Sequence, residues 1–210
     1  KFDLAVHLGR LETGRGKDSR KGVAVRGPIK DVKDFFPSWN ANDPASAEDP
    51  AGARTVASTG RTRTFLKVQD GCDYFCSFCT IPLARGRSRS GTIAETIRQV
   101  RAIARSGVKE VVLTGVNTGD FGKSRGEDFL GLIEALDRVE GVARFRISSI
   151  EPNLCSDAVI DFVSGSERFM PHFHMPLQSG IEAILQRMRR RDDGALCAEL
   201  TLRNKDRMPQ

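Results

Sequence analysis

The stretch "TFLKVQDGCDYFCSFC" (residues 64–79) joins an apolar strand pattern to a loop that carries three cysteines. Its first half contains Phe65, Leu66 and Val68 and ends in Asp-Gly, which is typical of a strand that leads into a turn. Its second half has the spacing Cys-x3-Cys-x2-Cys. Three thiols this close together favour metal or redox chemistry directly after a strand.

The chain after this loop alternates between helix and strand patterns. Apolar residues in "TIAETIRQVRAIARSG" (92–107) recur at helical spacing, Thr92 and Glu95 form a capping box, and Gly107 marks the end. Further elements are predicted at "KEVVLTG" (109–115), "EDFLGLIEALDRVEG" (127–141), "ARFRISSI" (143–150), "SDAVIDFVSG" (156–165), "FMPHFHMPL" (169–177) and "GIEAILQRMRRR" (180–191). This order predicts an α/β fold of about four β/α units, with parallel strands and helical crossovers.

Polar and glycine-rich stretches follow each predicted strand. They are "DGCDYFC", "TGVNTGD", "SSIEPN" and "MPLQSG". Because ligands of parallel α/β folds bind at the carboxyl ends of the strands, these loops predict one shared site at the top of an open barrel. The alternative is that each loop is polar only because it faces water.

The metal that three clustered thiols would bind is open to two interpretations. A structural zinc ion requires four ligands, and neither a histidine nor another cysteine of the chain stands at the usual spacing for the fourth. A [4Fe–4S] cluster takes one thiolate per iron, so three cysteines would leave one iron open to a substrate or cofactor. A zinc-stabilised RNA-binding module without catalysis is therefore the rival to an iron–sulfur site.

Composition narrows the class of protein. The formal net charge is +6, which favours a polyanionic partner such as nucleic acid. The five cysteines are an odd number, which is a poor basis for a disulfide framework. No run approaches the ~18 apolar residues of a membrane span, and the start does not resemble a signal peptide. We therefore expect a cytoplasmic protein with no membrane partner.

The pattern Cys72-x3-Cys76-x-Phe78-Cys79 resembles the signature of the radical S-adenosylmethionine (SAM) superfamily. The resemblance implies a partial (β/α) barrel of the radical SAM type, here incomplete, and a [4Fe–4S] cluster bound by the three cysteines. It also implies that the open iron chelates the amino and carboxylate groups of SAM. One electron then cleaves SAM to methionine and a 5′-deoxyadenosyl radical, with Phe78 near the adenine.

The stretches "FLKVQDGCDYFCSFCTIPLARGRSRS", "VVLTGVNTGDFG", "RISSIEPN" and "HMPLQSG" narrow the resemblance to the methylthiotransferases. The likeness is greatest to the branch that acts on threonylcarbamoyladenosine next to the tRNA anticodon. It implies tRNA as substrate and an electron donor such as flavodoxin or ferredoxin. The family also carries a second [4Fe–4S] cluster on three further cysteines, for which this chain has no ligands. A radical SAM reaction on another substrate remains an alternative.

The same family leads to a division of the chain into three parts. Residues 1–60 are interpreted as a remnant of the family's N-terminal module with a linker, and residues 61–191 as the radical SAM core. Residues 192–210 are interpreted as an irregular tail, in place of the rest of the barrel and a C-terminal RNA-binding domain. The sequence is thus expected to be a fragment.

The loops after the later strands supply further candidates for binding SAM. The resemblance implies roles for Thr114, Gly115 and Asn117 after the second strand. After the third and fourth strands it implies roles for the residues Ser148, Ser149, Glu151 and Gln178, and His174 lies within reach of the pocket. For each residue the alternative is a turn residue that bonds its own backbone.

Two arginine-rich segments are the candidates for binding RNA. "ARGRSRS" carries Arg85, Arg87 and Arg89, and "RMRRR" carries Arg187, Arg189, Arg190 and Arg191. Guanidinium groups suit phosphates and would make binding salt-dependent, and one arginine near the cluster could instead hold the SAM carboxylate. The alternative is a solvated basic face without a partner.

Overall fold

A computed structural model describes residues 62–209 of the chain. The expected N-terminal remnant and linker (1–60) therefore lie outside the described residues. The strands are β1 (Arg63–Lys67), β2 (Gln69–Asp70), β3 (Arg89–Ser90), β4 (Glu110–Thr114) and β5 (Arg144–Ile147). The helices are α1 (Ile81–Arg85), α2 (Ile93–Arg105), α3 (Phe129–Asp137), α4 (Asp157–Gly165), α5 (Glu182–Arg187) and α6 (Gly194–Arg207).

The centre of the fold is a parallel sheet in the order β1-β4-β5. Leu113 of β4 pairs with Leu66 of β1 on one side and with Ile147 of β5 on the other. All three side chains are buried, as expected for strands covered on both faces. Helices α2 and α3 form the crossovers, which confirms the predicted α/β fold and is consistent with a partial barrel.

The predicted fourth strand (169–177) is wrong as a continuous strand. The segment contacts β5 and its following loop at two isolated parallel bridges, Phe145 to Phe169 and Ser149 to His174. Pro171 and Pro176 lie within it, and a proline cannot donate a hydrogen bond to a sheet. The segment therefore follows the path of a fourth strand without forming its full ladder.

The helix boundaries follow their capping residues. The Thr92 hydroxyl accepts a hydrogen bond from the Glu95 N–H (3.1 Å), and the Glu95 carboxylate accepts one from the Thr92 N–H (2.8 Å). This confirms the predicted capping box of α2. The backbone bond with Thr92 also lowers the pKa of Glu95. Ser156 caps α4 as predicted.

Most of the predicted irregular tail forms helix α6 (Gly194–Arg207), so that prediction is wrong for these residues. Asp193 caps α6 by accepting a hydrogen bond from the Leu196 N–H (2.7 Å). Leu200 is buried against the core, and Arg203 of α6 forms an ion pair with Asp157 of α4. Many charged residues obscure the apolar spacing of this helix in the sequence. None of the helices in residues 62–209 is long and apolar enough to cross a membrane.

Two hydrophobic clusters lie in the described part of the chain. The larger one fills the space between the sheet and its helices, and Phe145 and Phe169 stack within it at 5.0 Å between ring centroids. The smaller one contains Cys72, Tyr74 and Cys76 and lies at the carboxyl end of the sheet. The second cluster marks the candidate site.

Candidate functional site

The cysteine loop (residues 71–79) is held closed at its base. Strands β2 and β3 pair antiparallel on either side of the excursion, and the Cys72 N–H donates to the Gly86 carbonyl (3.1 Å). Gly71 has φ +71°, and a Cβ there would lie 2.0 Å from the Arg87 carbonyl oxygen. Only glycine fits this position, so the loop leaves β2 along one fixed path.

The three cysteines of the loop lie in one cluster. Cys72 and Cys76 are buried, and Cys79 packs against them half-buried. Val116 from the loop after β4 and Leu154 from the loop after β5 cover the same cluster. The thiols therefore sit where three strand-end loops meet, which is the shared position that the sequence predicted.

The environment of Cys72 favours the protonated thiol. Burial raises the pKa of Cys72 to about 11, and the nearby carboxylates of Asp120 and Glu151 act in the same direction. The Tyr74 N–H donates to Cys72 Sγ (3.3 Å), which favours the thiolate. Binding a metal at Cys72 therefore releases the thiol proton, and the metal stabilises a thiolate that would otherwise be costly to form.

The donors at the carboxyl end of the sheet suit an iron–sulfur cluster by their chemistry. A [4Fe–4S] cluster takes one thiolate per iron, and three thiols share one partly apolar cluster of side chains here. Within residues 62–209, no group of three or more cysteine, histidine or acidic side chains converges on the position of a single metal ion.

Buried polar atoms without a protein partner provide a second test of fit. Arg190 Nε and Ser148 Oγ are both buried and have no hydrogen-bond partner. Ser148 lies at the carboxyl end of β5, and the nearby Cys76 thiol adds to the raised pKa of Arg190. Because buried polar groups are normally satisfied, these atoms are suitable donors for a bound anionic or polar group.

Gln69 is a functional residue that the sequence reasoning missed. Its side chain is 0% exposed, and Oε1 accepts hydrogen bonds from the N–H groups of Val116 (3.0 Å) and Asn117 (2.9 Å). Its Nε2 donates to the Gly71 carbonyl (2.8 Å) and to the Ser88 hydroxyl (2.9 Å). The amide thus ties the cysteine loop to the loop after β4. A polar residue at the end of an apolar strand was the available signal.

Gly115 and Asn117 help to position the neighbouring loops in this structure. A Cβ on Gly115 would lie 2.9 Å from Gln69 Oε1, so the glycine permits the close approach of that side chain. Asn117 is 1% exposed, and its Oδ1 accepts from the Glu151 N–H (3.2 Å) while its Nδ2 donates to Asp120 (3.3 Å). Asn117 therefore helps to position the loop that carries Glu151, and its contact with SAM stays a prediction.

The other predicted ligand-binding residues occupy different environments. Ser149 Oγ lies 3.1 Å from His174 Nδ1, which joins the loop after β5 to the fourth segment. The Thr114 carbonyl accepts from the Val68 N–H (2.9 Å). Phe78 is 50% exposed at the surface of the cysteine loop. Gln178 is exposed and has φ +60°, a backbone conformation that is rare for residues other than glycine.

The Arg190 side chain lies inside the fold, and its contact with RNA stays a prediction. Its side chain is 3% exposed and pairs with Glu151 and with Asp192, the latter at 2.7 Å. Burial alone would lower the pKa of Arg190, but the bond to Glu151 and both carboxylates raise it above its usual value. The guanidinium is therefore charged at every accessible pH and neutralises two carboxylates beside the three cysteines.

The remaining arginines divide into paired and solvent-facing groups. Arg89 and Arg85 form ion pairs with Asp70, at 2.9 and 3.3 Å. Burial alone would raise the pKa of Asp70, but Lys67, the Gly71 N–H and these arginines hold it below its usual value. Arg87 has a side chain that is 76% exposed, and its guanidinium lies 4.0 Å from the Asp73 carboxylate.

Three arginines of the second segment are exposed, namely Arg187, Arg189 and Arg191, and they differ in their contacts. The Arg191 guanidinium lies 4.2 Å from the Tyr74 ring centroid and donates to the Asp73 carbonyl (3.2 Å). Arg189 has φ +58°. Arg191 is therefore engaged with the cysteine loop, and Arg187, Arg189 and Arg87 are the arginines of the two segments that are best placed to meet a partner.

Known proteins similar to this chain carry related chemistry. The chain is 47% identical over 137 residues to the threonylcarbamoyladenosine tRNA methylthiotransferase MtaB of Bacillus subtilis (strain 168), which covers 64% of this chain and 30% of that protein. It is 34% identical over 177 residues to the ribosomal protein uS12 methylthiotransferase RimO of Aquifex aeolicus (strain VF5), covering 82% and 41%. The chain thus spans well under half the length of these relatives.

A solved structure and a family model agree on the fold. The fold resembles that of a radical S-adenosylmethionine methyltransferase, TsrM, from Kitasatospora setae, with a TM-score of 0.56 and 15% identity over 69% of this chain and 28% of that one. The model of the radical SAM superfamily matches residues 66–195. This range includes all three clustered cysteines, the end of β1 and the whole of β4 and β5. The chain therefore belongs to the radical SAM superfamily.

Proposed function

We propose that this chain is the cluster-binding and SAM-binding core of a tRNA methylthiotransferase that modifies threonylcarbamoyladenosine. The observation that carries the proposal is the cluster of Cys72, Cys76 and Cys79 where the loops after β1, β4 and β5 meet. The 47% identity to the Bacillus subtilis relative supports the methylthiotransferase reaction and the choice of nucleoside.

The residues of the site have separable roles in this proposal. Cys72, Cys76 and Cys79 each ligate one iron, and a bound cluster supplies the electron that cleaves SAM. Ser148 Oγ and Arg190 Nε, which lack protein partners, supply polar contacts to the bound groups. Phe78, half exposed beside the cysteines, provides an apolar surface for the adenine ring. Gln69 and Asn117 hold the loops in register.

The remaining cysteines provide no second cluster site. Cys155 is buried in the main core, where burial raises its pKa to about 12, and Cys197 lies 3.7 Å from Asp192. A second cluster of the kind that the resemblance implies requires ligands from outside this chain. Sulfur transfer therefore needs those ligands, whereas SAM cleavage needs only the site described above.

The reaction also requires partners, which we assign by chemistry. The exposed Arg87 and Arg189 suit the phosphates of tRNA. Reduction of the cluster requires a low-potential electron donor of the flavodoxin or ferredoxin type. Both partners place the reaction in the cytoplasm.

Anaerobic reconstitution tests the cluster and the SAM chemistry. The chain is incubated with iron and sulfide, and we expect a brown protein that forms 5′-deoxyadenosine from SAM when a reductant is added. Cys76→Ala should reduce iron loading and abolish SAM cleavage, while Cys155→Ala, a buried cysteine outside the cluster, should load iron normally. A colourless protein with one zinc per chain, or full loading of Cys76→Ala, would contradict the proposal.

The substrate is tested separately in cells. tRNA nucleosides from cells with and without the gene are compared by mass spectrometry. We expect the methylthio form of threonylcarbamoyladenosine to be lost in the deletion and restored by the intact gene. If the nucleoside persists unchanged, the substrate assignment falls while the cluster assignment stands, and a ribosomal protein substrate becomes the next to examine because the Aquifex aeolicus relative matches a larger share of the chain.

A further inference from the structure

The segment between α5 and α6 contacts the cysteine loop along its length, although the two are more than a hundred residues apart in sequence. The Ser77 N–H donates to the Met188 carbonyl (3.0 Å), and the Ser77 hydroxyl donates to the Arg187 carbonyl (3.1 Å). On the other side of Cys76, Arg191 bonds the Asp73 carbonyl and covers the Tyr74 ring. These contacts fix the residues on both sides of Cys76.

Arg190 lies between these outer contacts and faces inward. Its guanidinium pairs with Glu151, which follows β5, and with Asp192, whose side chain is 0% exposed, and the nearby Cys76 thiol adds to the raised pKa of Arg190. A buried cation between two carboxylates is well determined in position because moving it would leave buried charges unpaired. Arg190 thus connects the cysteine loop, the loop after β5 and the start of α6.

We propose that residues 187–192 form a strap that holds the cysteine loop in the conformation that presents its ligands, with Arg190 as the positioning residue for Cys76. The backbone supports the same arrangement, because the positive φ of Arg189 turns the chain so that Arg190 points inward and Arg189 outward. The inference rests on the proposed function only in taking Cys76 as a cluster ligand.

Besides its effect on the conformation of the loop, the charge of Arg190 is expected to affect the reduction potential of a bound cluster. One-electron reduction makes a [4Fe–4S] cluster more negative, and a nearby cation stabilises the reduced form. Removal of the Arg190 charge should therefore lower the reduction potential of any cluster that is still bound. A residue that contributed only to folding would not change this potential.

The experiment compares Arg190→Met, Arg190→Lys and Arg191→Leu with Arg189→Ala as the matched control, all in the full chain. Without metal, hydrogen exchange of residues 72–79 should be about tenfold faster in Arg190→Met, since a lost hydrogen bond to a charged group changes local opening by at least that factor. After reconstitution, iron should bind roughly tenfold more weakly, as expected for loss of a group that orients a ligand. Arg189→Ala should match the wild-type chain in both measurements.

The conservative variants separate positioning from general stability. Arg190→Lys keeps the charge and should restore much of the iron binding and the reduction potential. Arg191→Leu, which changes a surface side chain, should speed exchange at residues 72–79 with less effect on the potential. If circular dichroism shows that Arg190→Met is unfolded, the comparison of Arg190→Lys and Arg191→Leu with the wild-type chain decides the result.

Two outcomes would overturn the strap. One is Arg190→Met with wild-type exchange at residues 72–79 and full iron loading. The other is weakened loading that Arg190→Lys does not restore, with an unchanged potential, which would make Arg190 merely structural. Hydrogen exchange is measured without metal, and iron loading is measured without RNA. The strap would therefore remain supported even if the proposed tRNA reaction were not observed.

Discussion

The two arginine-rich segments have similar composition, and individual arginines within them occupy opposite environments. In "RMRRR" the Arg190 side chain is 3% exposed and pairs with two carboxylates, whereas in "ARGRSRS" the Arg87 side chain is 76% exposed. The difference arises from the carboxylates nearby, since Glu151 and Asp192 lie inside the fold and Asp73 lies near the surface. A run of arginines therefore does not reveal which members bind a partner and which hold the protein together.

Arg190→Met tests the buried side of this comparison and should have the largest effect on stability. Removal of the cation leaves Glu151 and Asp192 buried without it, which we expect to lower the free energy of unfolding by about 3–5 kcal/mol. Urea unfolding followed by circular dichroism measures the change. Arg189→Ala, one residue away and exposed, should unfold at the wild-type urea midpoint. Equal urea midpoints for Arg190→Met and Arg189→Ala would show that the buried arginine contributes no more to stability than the exposed one.

Gln69→Met should have the next largest effect because it removes the amide that joins the two loops. The variant keeps the shape of the side chain but leaves the buried N–H groups of Val116 and Asn117 without their acceptor, at a cost of about 2–3 kcal/mol in unfolding free energy. Gln186→Met, on the exposed face of α5, is the control. A loss no greater than that of the control would show that Gln69 does not organise the site.

Asp70→Asn sharpens the comparison for the first arginine-rich segment, through the pH dependence of the ion pairs that Asp70 forms with Arg85 and Arg89. The folded-state pKa of Asp70 is lowered, so its carboxylate stabilises the fold above the unfolded pKa of about 3.9 and loses that contribution as the pH falls through the folded value. We expect the variant to be about 1 kcal/mol less stable at pH 7, because Arg85 is more than half exposed.

The measurement for Asp70→Asn is the free energy of unfolding as a function of pH. The difference from wild type should narrow through the acid range and vanish where Asp70 is protonated in both states. A difference that stays constant from neutral to acid pH would mean that the carboxylate charge is not the source of the effect.

Arg87→Ala should change stability least and RNA binding most. Because its guanidinium is exposed, we expect an unchanged unfolding midpoint but a slope of log affinity for tRNA against log salt that is smaller by about 1. Arg138→Ala, an arginine outside both segments, serves as the control for net charge. An unchanged slope would remove Arg87 from the RNA-binding surface.

The sequence was sufficient to predict the parallel α/β fold because the helices that cross between the strands carry their own signals. Thr92 and Glu95 form their capping box, and the apolar run of β4 forms the centre of the sheet. The predicted strand at 169–177 was wrong because prolines interrupt its ladder. The helix α6 was missed because its buried side is narrow and depends on contacts with α4.

The sequence predicted the residues whose chemistry depends on their spacing along the chain. It did not predict the residues whose role depends on contacts with distant parts of the chain. The three cysteines stand close together in sequence, and the structure gathers them in one cluster. Gln69 and Arg190 gain their roles from partners 47 and 39 residues away, Val116 and Glu151, and no local pattern encodes such pairings. Long-range hydrogen bonds are the part of this site that a single sequence did not reveal.

The electron paramagnetic resonance spectrum of the reduced, reconstituted chain tests the central claim most directly. The claim is that three thiolates leave one iron of the cluster open to SAM. We expect a signal from a reduced [4Fe–4S] cluster whose g values shift when SAM is added. A spectrum unchanged by SAM, or a protein that holds zinc and gives no signal, would contradict the account.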